Sequence, residues 1–219
     1  MVNRATPAVR RLAMFPLGSV LFPGFGLPLH VFEPRYRFMV EALLSGPEEE
    51  REFGVVLIER GSEVGGGDRR FNVGTVARIL ATENLPDGRW FVQCAGVERV
   101  RVVEWLPDAP YPQAIVETLS DVQGSLQGPE LIEEIDRAVK DLRRALALSA
   151  EAGLATAPAT VDLDDAPSIR LWQACGLAPI GPLDDVALLS AETMTDRATL
   201  LRRCLEDATT LLSHRLSEG

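Results

Sequence analysis

The sequence predicts an α+β protein in which a β-rich half is followed by a helical half. Up to about residue 120, runs rich in β-branched residues alternate with turn signals, whereas beyond that point apolar residues recur every three or four positions. The composition changes at residues 120–130, a polar stretch with two glycines and one proline. We therefore expect a β-barrel subdomain with one inserted helix over residues 1–120 and an α-helical subdomain over residues 121–219.

Four segments of the first half have strand character. Asp87-Gly88 separates two of them and is typical of a hairpin turn. Gly74 and Gly96 interrupt strand patterns, which predicts bulges or sharp bends of a closed sheet rather than flat strands. The predicted strand segments are residues 53–60, 71–85, 89–106 and 111–119.

The inserted helix is expected directly after Pro34, because proline is favoured in the first turn of a helix, and it should end at Gly46-Pro47. Its apolar face would be formed by Tyr36, Met39, Val40 and Leu43.

Three helices are expected in the second half. The first, of about five turns, is predicted by one apolar stripe, the second spans Pro167 to Gly176, and the third follows Thr193 or Thr195. Thr193 and Asp196 resemble a capping box. The stripe of the first helix is Ile132, Ile135, Val139, Leu142 and Leu146, and that of the last is Leu201, Cys204, Leu205, Ala208 and Leu212.

Charge and composition exclude several classes of function. Residues 1–120 carry 13 basic and 15 acidic side chains, and the remainder carries 9 basic and 17 acidic ones. Neither half is a basic patch, so we expect no nucleic-acid partner. No apolar run is long enough for a transmembrane helix, and the N-terminus has no apolar signal core, so we expect no membrane association. With only three scattered cysteines, a cytoplasmic location is expected.

His30 and Glu33 are close in the sequence and are the residue types that hydrolytic catalysis uses. In a strand, His30 shares a face with Phe32 whereas Glu33 lies on the opposite face, so the two side chains do not act together. We expect His30 to be a hydrogen-bonded structural group and Glu33 to mark a helix start. Lys140 is the one lysine of the chain, and it is expected on a solvated helix face, where an amine lacks the desolvation that catalysis requires.

Cofactor and metal sites are likewise not expected. A phosphate-binding P-loop needs Gly-Lys followed by Ser or Thr, and no Gly-Lys occurs in the sequence. The glycine-rich segment 61–71 is therefore expected to be an exposed loop. Two histidines and three distant cysteines give no metal-ligand spacing, and the acidic run in residues 161–167 lacks the pattern of a calcium loop. We predict no catalytic residues, no cofactor and no metal.

Two long segments, residues 15–44 and 71–105, resemble the N-terminal, substrate-binding domain of Lon proteases. The similarity lies in several short sequence blocks that occur in the same order. Residues 185–212 are more loosely similar to the helical C-terminal part of that domain. The blocks are Phe15-Pro16-Leu17, Phe22-Pro23-Gly24, Leu27-Pro28-Leu29, Val73 to Ile79, Pro86-Asp87-Gly88 and Gly96 to Val100.

This resemblance implies a PUA-like β pseudo-barrel followed by a C-terminal helical bundle, in the peptidase S16 family. In full-length Lon this region recruits unfolded or tagged proteins, while separate ATPase and Ser–Lys protease domains act on them. The segment from His30 to Arg37 is more similar to freestanding bacterial members of the family than to the domain attached to a protease.

The resulting hypothesis is a non-catalytic module that binds unfolded or tagged protein segments. Its candidate peptide contacts are Phe22, Phe25, Phe32 and Trp90, because aromatic side chains at loop tips suit apolar recognition. The alternative for each of them is that it fills the barrel core. Alternatives are an adaptor or regulator of full-length Lon, which is then a partner, and a protein labelled an ATP-dependent peptidase by family transfer only. A PUA-type binder of small molecules or RNA is a further alternative.

Overall fold

A computed structural model describes residues 9–61 and 69–218 of the chain. Most of the predicted glycine-rich loop, residues 62–68, lies outside this part. The chain divides into two compact units, residues 1–120 and 121–219. In the described part, the first unit contains strands β1 (Val9–Leu17), β2 (Gly26–Val31), β3 (Glu52–Arg60), β4 (Arg69–Asn84), β5 (Trp90–Leu106) and β6 (Gln113–Leu119), with helix α1 (Pro34–Leu44). The second contains α2 (Gly128–Glu151), α3 (Pro167–Leu177), α4 (Pro182–Ser190) and α5 (Met194–Glu218).

The predicted α+β class, a β pseudo-barrel followed by helices, is confirmed. The strands are ordered β2-β5-β4-β3-β1-β6, and an additional pairing of β5 with β6 closes the last five into a ring. β1 and β3 are parallel, and the other pairs are antiparallel. β5 belongs to both parts of the sheet, because its first half pairs with β2 and its second half with β6. β2 is therefore an edge strand outside the ring, paired only with β5 within the described part of the chain.

The turn and the bends predicted from glycine are present. Gly88 has a φ of +79° in the turn between β4 and β5, a conformation that glycine adopts without steric cost. The pairing of β4 with β5 shifts register between Thr75–Arg99 and Ala77–Gly96. This shift is an irregularity of the bulge type, which bends the two long strands around the barrel.

The barrel core consists of two clusters of buried side chains. Successive side chains of β1 belong to different clusters, because they point to opposite faces of the strand. Phe15 belongs to the first cluster, where its ring stacks on Tyr36 with centroids 4.1 Å apart. Met14 belongs to the second, with Val76 and Val100. The predicted face of α1 is confirmed: Tyr36, Met39 and Val40 are buried in the first cluster, and Leu43 packs against it.

The helical unit differs from the predicted pattern in two places. The buried stripe of α2 begins at Glu134 and Ile135, about one turn later than expected; in the first turn Ile132 is 45% exposed, and the half-buried side chain is that of its neighbour Leu131. Helix α4 was not predicted, although Pro182 at its start followed by Asp184 and Asp185 is a typical first turn. The α5 stripe is buried apart from Ala208, which is half-buried.

A buried arginine connects three segments of this unit. The Arg197 side chain is 1% exposed and donates two hydrogen bonds to the Asp121 carboxylate, at 2.6 and 3.0 Å. It also donates to the carbonyl oxygens of Leu188 and Ala191, and its guanidinium lies 3.8 Å from the ring centroid of Trp172. The start of α5 is thereby fixed to α3, to the end of α4 and to the first residue of the unit.

The cap of α5 is close to the predicted form. The Asp196 N–H donates to Thr193 Oγ1 at 2.9 Å, and that hydroxyl donates to the Asp196 carboxylate at 2.7 Å. The carboxylate thus accepts from the threonine hydroxyl, where a full capping box has it accept from the backbone N–H.

Asp185 gives the helical unit a pH-dependent stability. Burial, with a contribution from the charge of Asp184, raises the pKa of Asp185 from its ordinary 3.8 to about 7. Between about pH 4 and pH 7 the folded protein therefore retains a proton on Asp185 that the unfolded chain releases. The stability that this proton contributes is complete below about pH 4 and is lost as the pH rises through 7.

We expect Asp185→Asn to be more stable than the natural protein at pH 8, and we expect the difference in the free energy of unfolding to shrink at pH 5. Urea unfolding at the two pH values measures this difference. Asp162→Asn, at an exposed position, is the control. A difference that is equal at both pH values would contradict the prediction.

Candidate functional site

The four aromatic residues proposed as peptide contacts lie in different environments. Phe22 is buried, with 4% of its surface exposed. Phe25 and Trp90 are half-buried and pack against the first core cluster. Phe32 is 51% exposed. Of the four, Phe32 is the side chain that is mainly on the surface.

The ring of His30 lies beside Phe32, and the ring of Phe91 is stacked on His30. The imidazole of His30 stacks on Phe91 with centroids 4.6 Å apart and an interplanar angle of 18°. The His30 and Phe32 centroids are 6.3 Å apart. His30 is exposed, and Phe91 is 45% exposed. We call His30, Phe32 and Phe91 the aromatic face.

Strand pairing brings these rings together from distant parts of the sequence. β2 and β5 are antiparallel, with His30 opposite Phe91. Because successive side chains alternate between the faces of a sheet, Val31 and Val92 are buried while His30 and Phe91 point outward. On the other side of β5, Glu83 of β4 lies opposite Phe91. His30, Phe91 and Glu83 thus form one row across three strands.

The expectation that His30 is a hydrogen-bonded structural group is corrected by this geometry. Its ring is exposed and stacked on an aromatic side chain. Sequence reasoning placed His30 and Phe32 on one face but missed Phe91. The alternation of Phe91 and Gln93 with the buried Val92 and Cys94 is the signal that would have placed Phe91 on the outer face.

The groups considered for catalysis occupy unremarkable positions. Glu33 precedes α1, and its carboxylate pairs with the Arg35 Nε at 3.3 Å. Lys140 is exposed on α2. Burial raises the pKa of the cysteine thiols, to about 12 for Cys94 and Cys175 and about 11 for Cys204, which disfavours the nucleophilic thiolate.

The part of the chain that the structure describes contains neither a metal-ligand cluster nor a membrane-spanning helix. Across residues 9–61 and 69–218, three or more His, Cys, Asp or Glu side chains do not meet in an arrangement suited to a metal ion. Over the same part, the helices lack the combination of length and apolar composition needed to cross a bilayer.

Comparison with known proteins identifies the family. Residues 11–207 match the ATP-dependent protease La (LON) substrate-binding domain. Lon protease of Cytophaga hutchinsonii is 35% identical over 113 residues, which are 51% of this chain and 14% of that protein. A LON peptidase N-terminal domain and RING finger protein of Schizosaccharomyces pombe is 23% identical over 218 residues, covering 84% of this chain and 43% of that protein. The chain thus spans less than half the length of each of these two relatives.

Solved structures agree with the sequence match. The Lon N-terminal domain protein from Xanthomonas campestris superimposes with a TM-score of 0.60 and 26% identity, over 88% of this chain and 96% of that one. The N-terminal domain of the Mycobacterium avium complex Lon protease has the same fold, with a TM-score of 0.59 and 16% identity, over 90% and 99% of the two chains. The match of residues 11–207, together with the closed barrel and the helices that follow it, shows that the chain belongs to the Lon substrate-binding domain family.

Proposed function

We propose that this protein is a non-catalytic module that binds unfolded or tagged segments of other proteins. The observation that carries the proposal is the exposed aromatic face. It lies on a domain that belongs to a family of substrate-binding domains. Within the 219 residues there is no Gly-Lys for a P-loop, and the one lysine, Lys140, is exposed. These residues support recognition rather than peptide hydrolysis.

The aromatic face suits the recognition of apolar segments for a physical reason. Phe32 and Phe91 are about half exposed, so much of their apolar surface remains in contact with water. Fully burying a Phe side chain is worth about 1.5–3 kcal/mol, and aromatic side chains are enriched among the residues that dominate binding energies. A native protein hides the apolar side chains that such a face would contact, whereas an unfolded one exposes them.

The proposal is tested by binding to an unfolded model protein. We expect the natural chain to bind fluorescently labelled, reduced and carboxymethylated α-lactalbumin in a polarisation assay. The double variant Phe32→Ser/Phe91→Ser should bind at least about tenfold more weakly, because two partly exposed rings are lost. Both side chains are exposed, so the fold should tolerate the substitutions, and circular dichroism checks this.

Leu211→Ser is the matched control, since Leu211 is 73% exposed on α5 and its loss removes apolar surface outside the aromatic face. If the double variant, the control and the natural chain bind the unfolded protein equally well, the aromatic face does not take part in binding. Failure of the natural chain to bind the unfolded protein above an inert acidic control would overturn the proposal as a whole.

Full-length Lon protease is proposed as a second partner, in which case the chain would act as an adaptor or regulator. The family relationship supports this role, because the solved neighbours include a domain that is part of a Lon protease. Co-purification with the protease, in the absence of unfolded protein, distinguishes an adaptor from an independent receptor.

A further inference from the structure

We infer that the outer edge of β2 binds an extended segment of the partner protein as an additional strand, and that this segment carries apolar and basic side chains. The inference rests on the proposed function and specifies the site, the mode of binding and the chemistry of the bound segment.

The backbone of β2 offers hydrogen-bonding groups along its outer edge. The Gly96 N–H donates to the Phe25 carbonyl oxygen at 2.9 Å, which fixes the phase of the pairing between β2 and β5. Because antiparallel pairing alternates, residues 27, 29 and 31 direct their N–H and C=O groups toward β5, and residues 26, 28 and 30 direct theirs outward. The position of Pro28 agrees with this phase, since proline has no N–H and is tolerated where that group would face solvent.

The outer edge is accessible. Gly26, Pro28 and His30 are all exposed, and β2 pairs only with β5 in the part of the chain that the structure describes. The edge thus presents two N–H donors, from Gly26 and His30, and three carbonyl acceptors. Unpaired strand edges are templates for strand addition, in which backbone hydrogen bonds supply affinity and the side chains of the sheet supply specificity.

The side chains beside this edge favour an apolar residue in the bound segment. His30 belongs to β2 itself, Phe91 lies opposite it on β5, and Phe32 follows the strand. A segment added along β2 directs alternate side chains to the face that these rings occupy, so the side chain next to His30 would pack against the aromatic face.

The charges around the aromatic face favour a basic residue as well. Glu83, opposite Phe91, is exposed, and it forms no ion pair with the residues that the structure describes. Of the arginines at this end of the sheet, Arg89 pairs with Asp87 and Arg35 with Glu33, while the Arg37 guanidinium lies against Gly88 in the turn between β4 and β5. A free carboxylate beside aromatic rings attracts a cation both directly and through cation–π interaction. Glu83 lies three strand spacings, about 14 Å, from a segment added outside β2. The charge complement is therefore a lysine or arginine, whose long side chain extends across the aromatic face toward Glu83.

The mode of binding is tested with a fluorescein-labelled octapeptide that alternates threonine with phenylalanine and lysine. Two isomeric forms carry backbone N-methyl groups on the odd or on the even residues. In an added edge strand, one set of N–H groups faces β2 and the other faces solvent. We expect one isomer to bind at least tenfold more weakly than the unmethylated peptide and the other to change by less than threefold. Equal affinities of the two isomers would overturn strand addition.

The charge preference is tested with the same peptide after lysine is replaced by glutamate. We expect the glutamate peptide to bind at least fivefold more weakly at low salt, with the ratio falling as ionic strength rises. Glu83→Gln should reduce the ratio, whereas Glu104→Gln, an exposed carboxylate on β5 outside the row, should leave it unchanged. A ratio of one in the natural chain, or a ratio that Glu83→Gln does not change, would overturn the basic preference.

The experiments separate this inference from the proposed function. If the chain binds carboxymethylated α-lactalbumin but does not distinguish the two N-methylated isomers, strand addition fails and the proposed function stands. If it binds neither the unfolded protein nor the peptides, both fail.

Discussion

Replacement of Arg197 by methionine is expected to lower the free energy of unfolding of the helical unit by about 3 kcal/mol. Methionine keeps much of the apolar volume but removes the two hydrogen bonds that Arg197 donates to the Asp121 carboxylate and the one that it donates to each of the carbonyl oxygens of Leu188 and Ala191. The contact with the Trp172 ring is also lost. Urea unfolding followed by far-ultraviolet circular dichroism measures the change.

Arg170→Met is the control, because the side chains of the Arg170–Asp136 ion pair are 30% and 51% exposed, and pairs in contact with solvent contribute about 0–1 kcal/mol. Arg197→Lys should fall between the two, since an ammonium keeps the charge but cannot make the bidentate contact. If Arg197→Met costs no more than Arg170→Met, the buried network is not a major source of stability.

Substitution of Gly74 by alanine is expected to destabilise the barrel by about 3 kcal/mol, at the upper end of the usual cost of overpacking. A Cβ at this position would lie 2.7 Å from Val56 Cγ1 and against the Val55 carbonyl oxygen. The backbone has little room to move away, because Gly74 is paired with Val56 on one side and Val100 on the other. Urea unfolding followed by tryptophan fluorescence, which reports on Trp90 and Trp105 in the barrel, measures the loss.

Gly26→Ala provides the comparison for Gly74. Its Cβ would have no heavy atom closer than the Cys94 carbonyl oxygen at 4.0 Å, so we expect a change of less than about 0.5 kcal/mol. Similar losses for the two substitutions would mean that the close approach of β3 and β4 is not what requires glycine at position 74.

Local sequence patterns predicted many of the strands, turns and helices. Asp87-Gly88 indicated its turn because few residues adopt the backbone conformation found at Gly88. The spacing of Ile135, Val139 and Leu142 indicated the buried face of α2, yet it did not show that Ile132 is exposed. Periodicity identifies one side of a helix, but the packing of the surrounding elements decides how much of that side is buried.

The aromatic face was harder to predict, because it depends on strand register. Phe22 and Phe32 have the same side chain, and each lies one or two positions before a proline, yet Phe22 is buried and Phe32 is exposed. His30 and Phe91 are 61 positions apart and meet only because β2 and β5 pair in one particular register. The pairing register cannot be derived from a local sequence pattern. It matters because a shift by one residue would exchange the buried and exposed faces.

Pro28 has a consequence for self-association. If two copies of the protein joined through their β2 edges in full antiparallel overlap, the outward residues would pair as 26 with 30 and 28 with 28, given the phase of β2. Each proline would then face the other without an N–H, so both central hydrogen bonds would be missing and both carbonyl groups would lose a partner. A residue of a foreign segment paired with Pro28 donates its own N–H to the Pro28 carbonyl oxygen. Only the hydrogen bond that Pro28 would donate is then missing. One residue thus makes the edge a poorer template for its own copy than for another chain.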